Sequence, residues 1–107
     1  MKPITIHAPE RDYALDFNRD TVQAAERRGF RISELDEMPM TMIPLLFSSA
    51  FLMHCPDVEQ ETIDELWDSV TNKQGLFNEL AKRYANTMKT LFRENESGDK
   101  GNGVSWD

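Results

Sequence analysis

His54-Cys55 is the one place in the chain where an imidazole and a thiol adjoin. Neighbours on a helix point ~100° apart, so this pair cannot chelate one ion without a broken backbone, and His7 lies far away along the chain. As a nucleophile and base the two would need a third orienting group and an oxyanion hole. The sequence has no GxSxG, no phosphate-cradling glycine loop and no HExxH. The reading is therefore structural: Cys55 as a small, partly buried hydrophobe and His54 as a cap on the last carbonyls of its helix. No catalytic residue, metal site or cofactor is expected.

Two charged sets invite a chemical reading. Glu59, Glu61, Asp64, Glu65 and Asp68 are spaced to fill the solvent face of a helix opposite Ile63 and Trp67, which is a solvated surface before it is an acid/base or metal cluster. Arg27, Arg28 and Arg31 form a small basic patch without the interleaved aromatics of a nucleic-acid platform. They are expected to pair with the chain's own acids, with an acidic partner as the alternative. The overall balance, 12 Lys+Arg against 19 Asp+Glu for a net charge of −7, opposes attraction to phosphates or anionic lipid headgroups. Nucleic acid and membrane are not expected as partners. A single cysteine excludes an internal disulfide and no secretory leader opens the chain, so the reducing cytoplasm is the expected location.

These side chains need elements to hold them. Residues 4–7 and 13–17 alternate apolar and polar around a turn-like insert at 8–12, which predicts a β-hairpin with Ile4, Ile6, Tyr13, Leu15 and Phe17 facing inward. Asn18 is a good N-cap, Phe17 can staple onto Val22 and Gly29 closes, which places a first helix over 19–28, expected to lie across the hairpin. A connector follows, anchored by Phe30, Ile32 and Leu35. Ile63, Leu66, Trp67 and Val70 recur at i, i+3, i+4, i+7 in an amphipathic helix ending near Asn72. Gly75 breaks the chain before the longest helix, whose face runs from Leu76 through Phe92. The fold class is α+β: an N-terminal hairpin and about four helices in a mostly helical single domain over 1–93, with a flexible polar tail over 94–107.

The most apolar stretch is "PMTMIPLLFSSAFLMHCP", which with Met38 carries four of the six methionines. A helix over 42–54, capped by Thr41 and stopped by Pro56, would rise ~20 Å, too short for the ~30 Å hydrocarbon core. Its apolar residues cover nearly the whole circumference, so it must be buried all round, and in so small a domain something outside the chain is a candidate for part of that burial. Leu45, Leu46, Ala50 and Met53 are assigned to the core. Met38, Met40, Phe47 and Phe51, with Trp67, are the residues assigned to a partner, methionines being adaptable at binding surfaces.

Taken in order, "YALDFNRDTVQAAERRGFRISEL", "MPMTMIPLLFSSAFLMHCP" and "TIDELWD" resemble the tail assembly chaperones of long-tailed phages of Gram-positive bacteria, over about residues 13–92. Phe17, Arg19, Gly29, Phe30, Pro39, Leu45, Leu46, Phe47, Phe51, His54 and Pro56 carry the resemblance. It implies a non-enzymatic protein that binds the aggregation-prone tape-measure protein, keeps it soluble and helps recruit tail-tube subunits. It also implies action in the host cytoplasm, absence from the mature virion and, in many members, a longer frameshifted product. An apolar surface on a highly charged small domain suits such a holdase. The competing expectation is an acidic phage protein that inhibits a host factor by occupying a basic site, with salt-sensitive binding through Glu59, Glu61, Glu65 and Asp68. Self-association that buries the central helix is compatible with the first reading.

Overall fold

The computed structural model describes residues 2–92. Arg93 and the expected tail over 94–107 lie outside the described residues.

An N-terminal hairpin is followed by four helices, as expected. Strands β1 (Ile4–His7) and β2 (Asp12–Leu15) pair antiparallel, with Ile6 opposite Tyr13 and Ile4 opposite Leu15. The turn is closed by the Ala8 N–H donating to the Arg11 carbonyl at 3.1 Å. Alternation puts Ile6, Tyr13 and Leu15 on one face, and all three are buried along with Phe17, while Ile4 is half-buried against them. The outer edge of β2 is covered by the segment after the second helix. There the Asp16 N–H donates to the Ala50 carbonyl at 3.1 Å and the Cys55 thiol lies 3.8 Å from the Ala14 carbonyl.

Helix α1 (Arg19–Arg27) begins with a reciprocal cap. The Thr21 N–H donates to Asn18 Oδ1 at 2.9 Å and the Asn18 N–H donates to Thr21 Oγ1 at 2.8 Å, so two donors that the first turn would leave orphaned are satisfied. At the other end Gly29 takes φ 101°, a left-handed geometry that suits glycine. The helix does not lie across the hairpin: its thin buried face of Thr21, Val22 and Ala25 packs on α2 (Pro39–Ser49) and α4 (Lys73–Lys89). The connector contains a 3-10 turn, Ile32–Glu34, in which Phe30 is buried and Leu35 half-buried, but Ile32 is exposed.

Helix α2 runs Pro39–Ser49, starting and ending earlier than the expected 42–54. Pro39 stands at the first helical position, where its fixed φ is pre-organised and its missing N–H was an orphan anyway, so the start needs no Thr41 cap. After Ser49 the chain continues as turns, with Phe51 and Leu52 bonding three residues back. His54 is exposed and its side chain makes no hydrogen bond among the described residues, so its expected capping role is not seen. Helix α2 is the hub, touching α1, the 3-10 turn, α3 (Gln60–Ser69) and α4 (Lys73–Lys89).

Between α3 and α4 the boundary also moves. Val70 becomes extended and Asn72, at φ 52°, is the N-cap of α4, with its Oδ1 accepting the Gly75 N–H at 3.2 Å. Gly75 is thus part of the first turn and not a break; a Cβ there would collide with the Asn72 side chain. Lys73 reaches back to satisfy the Asp68 and Val70 carbonyls at 3.2 and 3.0 Å. No helix among the described residues is long and apolar enough to cross a membrane.

Candidate functional site

Leu46, Phe47, Ala50 and Phe51 are all at most 1% exposed, so the chain's own elements bury most of the central apolar stretch. Of the residues assigned to the core, Leu46 and Ala50 are there, Leu45 is half-buried and Met53 is exposed. Of those assigned to a partner, Phe47 and Phe51 are core residues. Phe51 lies between Phe47 and Tyr13, with ring centroids at 5.1 and 5.8 Å. The correction has a simple cause: an apolar residue on a helix that is apolar all round carries no local mark of which way it faces.

One side of α2 remains uncovered, at its N-terminal half. There Pro39, Met40, Ile43, Pro44 and Phe47 face Asp64, Trp67 and Asp68 of α3 across a groove of about 370 Å³. Trp67 stacks obliquely on Phe47 at 5.0 Å and 56°, and the buried Phe47 ring is therefore held from behind by Phe51 and from the side by Trp67. Met40 stands on the rim, 89% exposed. Pro44, inside the helix, has no N–H to return to the Met40 carbonyl, so the rim also has a backbone acceptor without its usual helical donor. The structure thus brings Met40, Phe47 and Trp67 together; Met38 is half-exposed but does not line the groove. Pro39, Ile43, Pro44 and Asp64 were missed as site residues, and Asp68 was named only for the competing acidic reading. The signal available for Asp64 was its i, i+4 spacing to Asp68 on the same helix as Trp67, read only as a solvent face.

The arrangement is one of shape and charge. Asp64 Oδ1 accepts from Gln60 Nε2 at 2.9 Å, and neither Asp64 nor Asp68 is in an ion pair among the described residues. Among those residues no cluster of three or more His, Cys, Asp or Glu side chains could hold a metal. Cys55 is buried, with the Arg11 guanidinium 3.7 Å from its sulfur and 4.8 Å above the Tyr13 ring. Two residues of the basic patch bond within the chain: Arg28 reaches Ser49 and Gln60 at 3.5 and 3.4 Å, and Arg31 donates to the Glu26 and Phe30 carbonyls at 2.9 Å. These are neutral acceptors, not the acids expected for it.

The phenol pKa values of both tyrosines are raised above 10.0. Burial is the main cause in each, followed by the Glu10 hydrogen bond for Tyr13 and the Glu26 charge for Tyr84.

The whole chain, residues 1–107, matches the family described as Domain of unknown function (DUF5055), and so belongs to it. No curated protein and no solved structure matches the chain.

Proposed function

We propose that this member of the DUF5055 family is a non-enzymatic tail assembly chaperone, which holds the tape-measure protein of its phage in soluble form through the groove between α2 and α3. The observation that carries the reading is the groove itself. It is an apolar concavity with an aromatic floor fixed by stacking and an exposed, flexible Met40 at its rim, a surface that fits the apolar ridge of a client helix. The net charge of −7 supports it, since charge elsewhere on the domain keeps a complex with an aggregation-prone client dissolved. In this proposal the chain acts in the host cytoplasm, aids addition of tail-tube subunits and leaves before the virion matures.

The test is co-expression with the tape-measure protein of the same phage, scored as client in the soluble fraction and by pull-down. Wild-type chain should raise the soluble fraction, and Met40→Asp or Ile43→Asp should abolish that rise while the variants stay folded by circular dichroism. No effect of wild-type chain, together with no pull-down, would sink the proposal. Binding that is lost at moderate salt but indifferent to Met40→Asp would instead favour the acidic inhibitor of a host factor.

A further inference from the structure

Resting on the reading of this groove as a docking surface, we infer that its occupant is an amphipathic helix whose apolar ridge is flanked by Lys or Arg side chains, and that Asp64 and Asp68 select it. Two independent features define the occupant. The walls come from α2 and α3, helices that direct their backbone bonds along their own axes and so present no ladder of free N–H and C=O groups to an incoming strand. An extended strand laid there would bury its own N–H and C=O groups without partners, whereas a helix arrives with its backbone already satisfied.

Charge supplies the second feature. Among the described residues, the only ionisable side chains lining the groove are Asp64 and Asp68, of one sign and one helical turn apart. Neither is neutralised by an ion pair among the described residues, and the nearby Lys73 amine is engaged with the Asp68 and Val70 carbonyls. Both acids also work against their own helix. Like charges at i, i+4 repel, and Asp68, one residue from the end of α3, faces the negative end of the helix dipole. A merely solvated position would be better filled by lysine or glutamine. A pair of acids held at a cost to α3, beside an apolar concavity, is complementary to an apolar ridge bordered by cations.

The probe is a set of designed helical peptides of equal length: one with a leucine ridge flanked by lysines, one with the same ridge flanked by glutamates, and one with the lysines but an alanine ridge. The full chain carrying Trp106→Phe leaves Trp67 as the sole indole, and its fluorescence reports occupancy. The leucine–lysine peptide should bind at least about tenfold more tightly than the leucine–glutamate peptide, a gap that shrinks near 1 M salt where the Debye length is about 3 Å. The double variant Asp64→Lys with Asp68→Lys should invert the preference, and its melting temperature should hold or rise, so misfolding does not confound the result. Equal affinities, an unchanged order in the double variant, or an alanine–lysine peptide that binds as well as its leucine counterpart would overturn the inference. So would light scattering showing the groove filled by a second copy and freed by Met40→Asp. Charge discrimination among peptides without solubilisation of the tape-measure protein would uphold this inference and reject the proposed client; solubilisation without discrimination would do the reverse.

Discussion

Phe47 and Met40 stand seven residues apart in the sequence and touch the same groove, yet the one is 1% exposed and the other 89%. Their substitutions should therefore separate folding from binding. Phe47→Ala removes a ring stacked on both Phe51 and Trp67 and should cost ~3–5 kcal/mol, a large share of the ~5–15 kcal/mol that holds a small domain together. Met40→Ala should change stability by no more than ~0.5 kcal/mol while weakening occupancy of the groove. Urea unfolding of the two variants checks the contrast, and comparable losses would mean that Met40 is packed in solution. Tyrosine chemistry gives a second residue-scale expectation. Tyr13 and Tyr84 are the chain's only tyrosines, and both are raised above 10.0 in the folded state, so the folded chain holds its phenolic protons where the unfolded chain releases them. The stability they contribute is complete below pH 10 and is lost as pH rises through the raised values. Melting temperatures should fall with pH above about 10, and a variant with both tyrosines changed to phenylalanine should show a shallower alkaline decline; identical slopes would contradict the assignment.

Helix α1 was legible because its signals are local. Asn18, Phe17 and Gly29 sit where a cap, a staple and a left-handed close are required, and the Asn18–Thr21 exchange realises the cap. Asn18→Ala should accordingly cost about 1 kcal/mol, measured by thermal or urea unfolding, and Asn18→Asp much less. The hairpin was legible for the same reason, a period of two interrupted by a turn. Helix α2 was harder: Thr41 offered a plausible cap, but Pro39 two residues earlier offered a geometry that needs none, and a helix apolar all round gives no moment by which to choose its faces. Its identity as a central helix could be read, but not which of Leu45, Phe47, Phe51 and Met53 would point inward. That depends on where α1, α3 and α4 dock. The α3–α4 boundary hid behind Gly75, whose usual meaning as a breaker was overridden by Asn72 capping directly onto its N–H. The groove is a tertiary feature built from two helices with a ten-residue connection, 50–59, between them, so the sequence showed several of its residues without showing that they converge.

At the scale of the whole molecule, hairpin and helices share one core, where Tyr13 meets Phe51 and Phe17 meets Tyr84, and Arg83 of α4 adds a polar tie across that seam. Its side chain, 11% exposed, donates to the Lys2 carbonyl at 2.6 Å, lies 3.4 Å from Asp16 at the end of the hairpin, and lies 3.3 Å from Glu79 on its own helix. One planar group thus ties the chain's first described residue, the exit of β2 and the longest helix together, which a lysine's single amine could not reproduce. The groove stands on a different set of contacts, α2 against α3 through Phe47 and Trp67. Arg83→Met keeps most of the apolar stem and removes the fork, leaving Asp16 partly buried without its cation; after allowance for its remaining solvent contact, the cost should be ~1–2 kcal/mol. The loss should be local. Amide hydrogen exchange should quicken across β1 and β2 while the amides of α2 and α3 keep their protection and, in the Trp106→Phe background, Trp67 fluorescence is unchanged. Uniform loss of protection through all four helices would show instead that hairpin and helices unfold as one unit, with Arg83 holding the entire domain and the groove dependent on it.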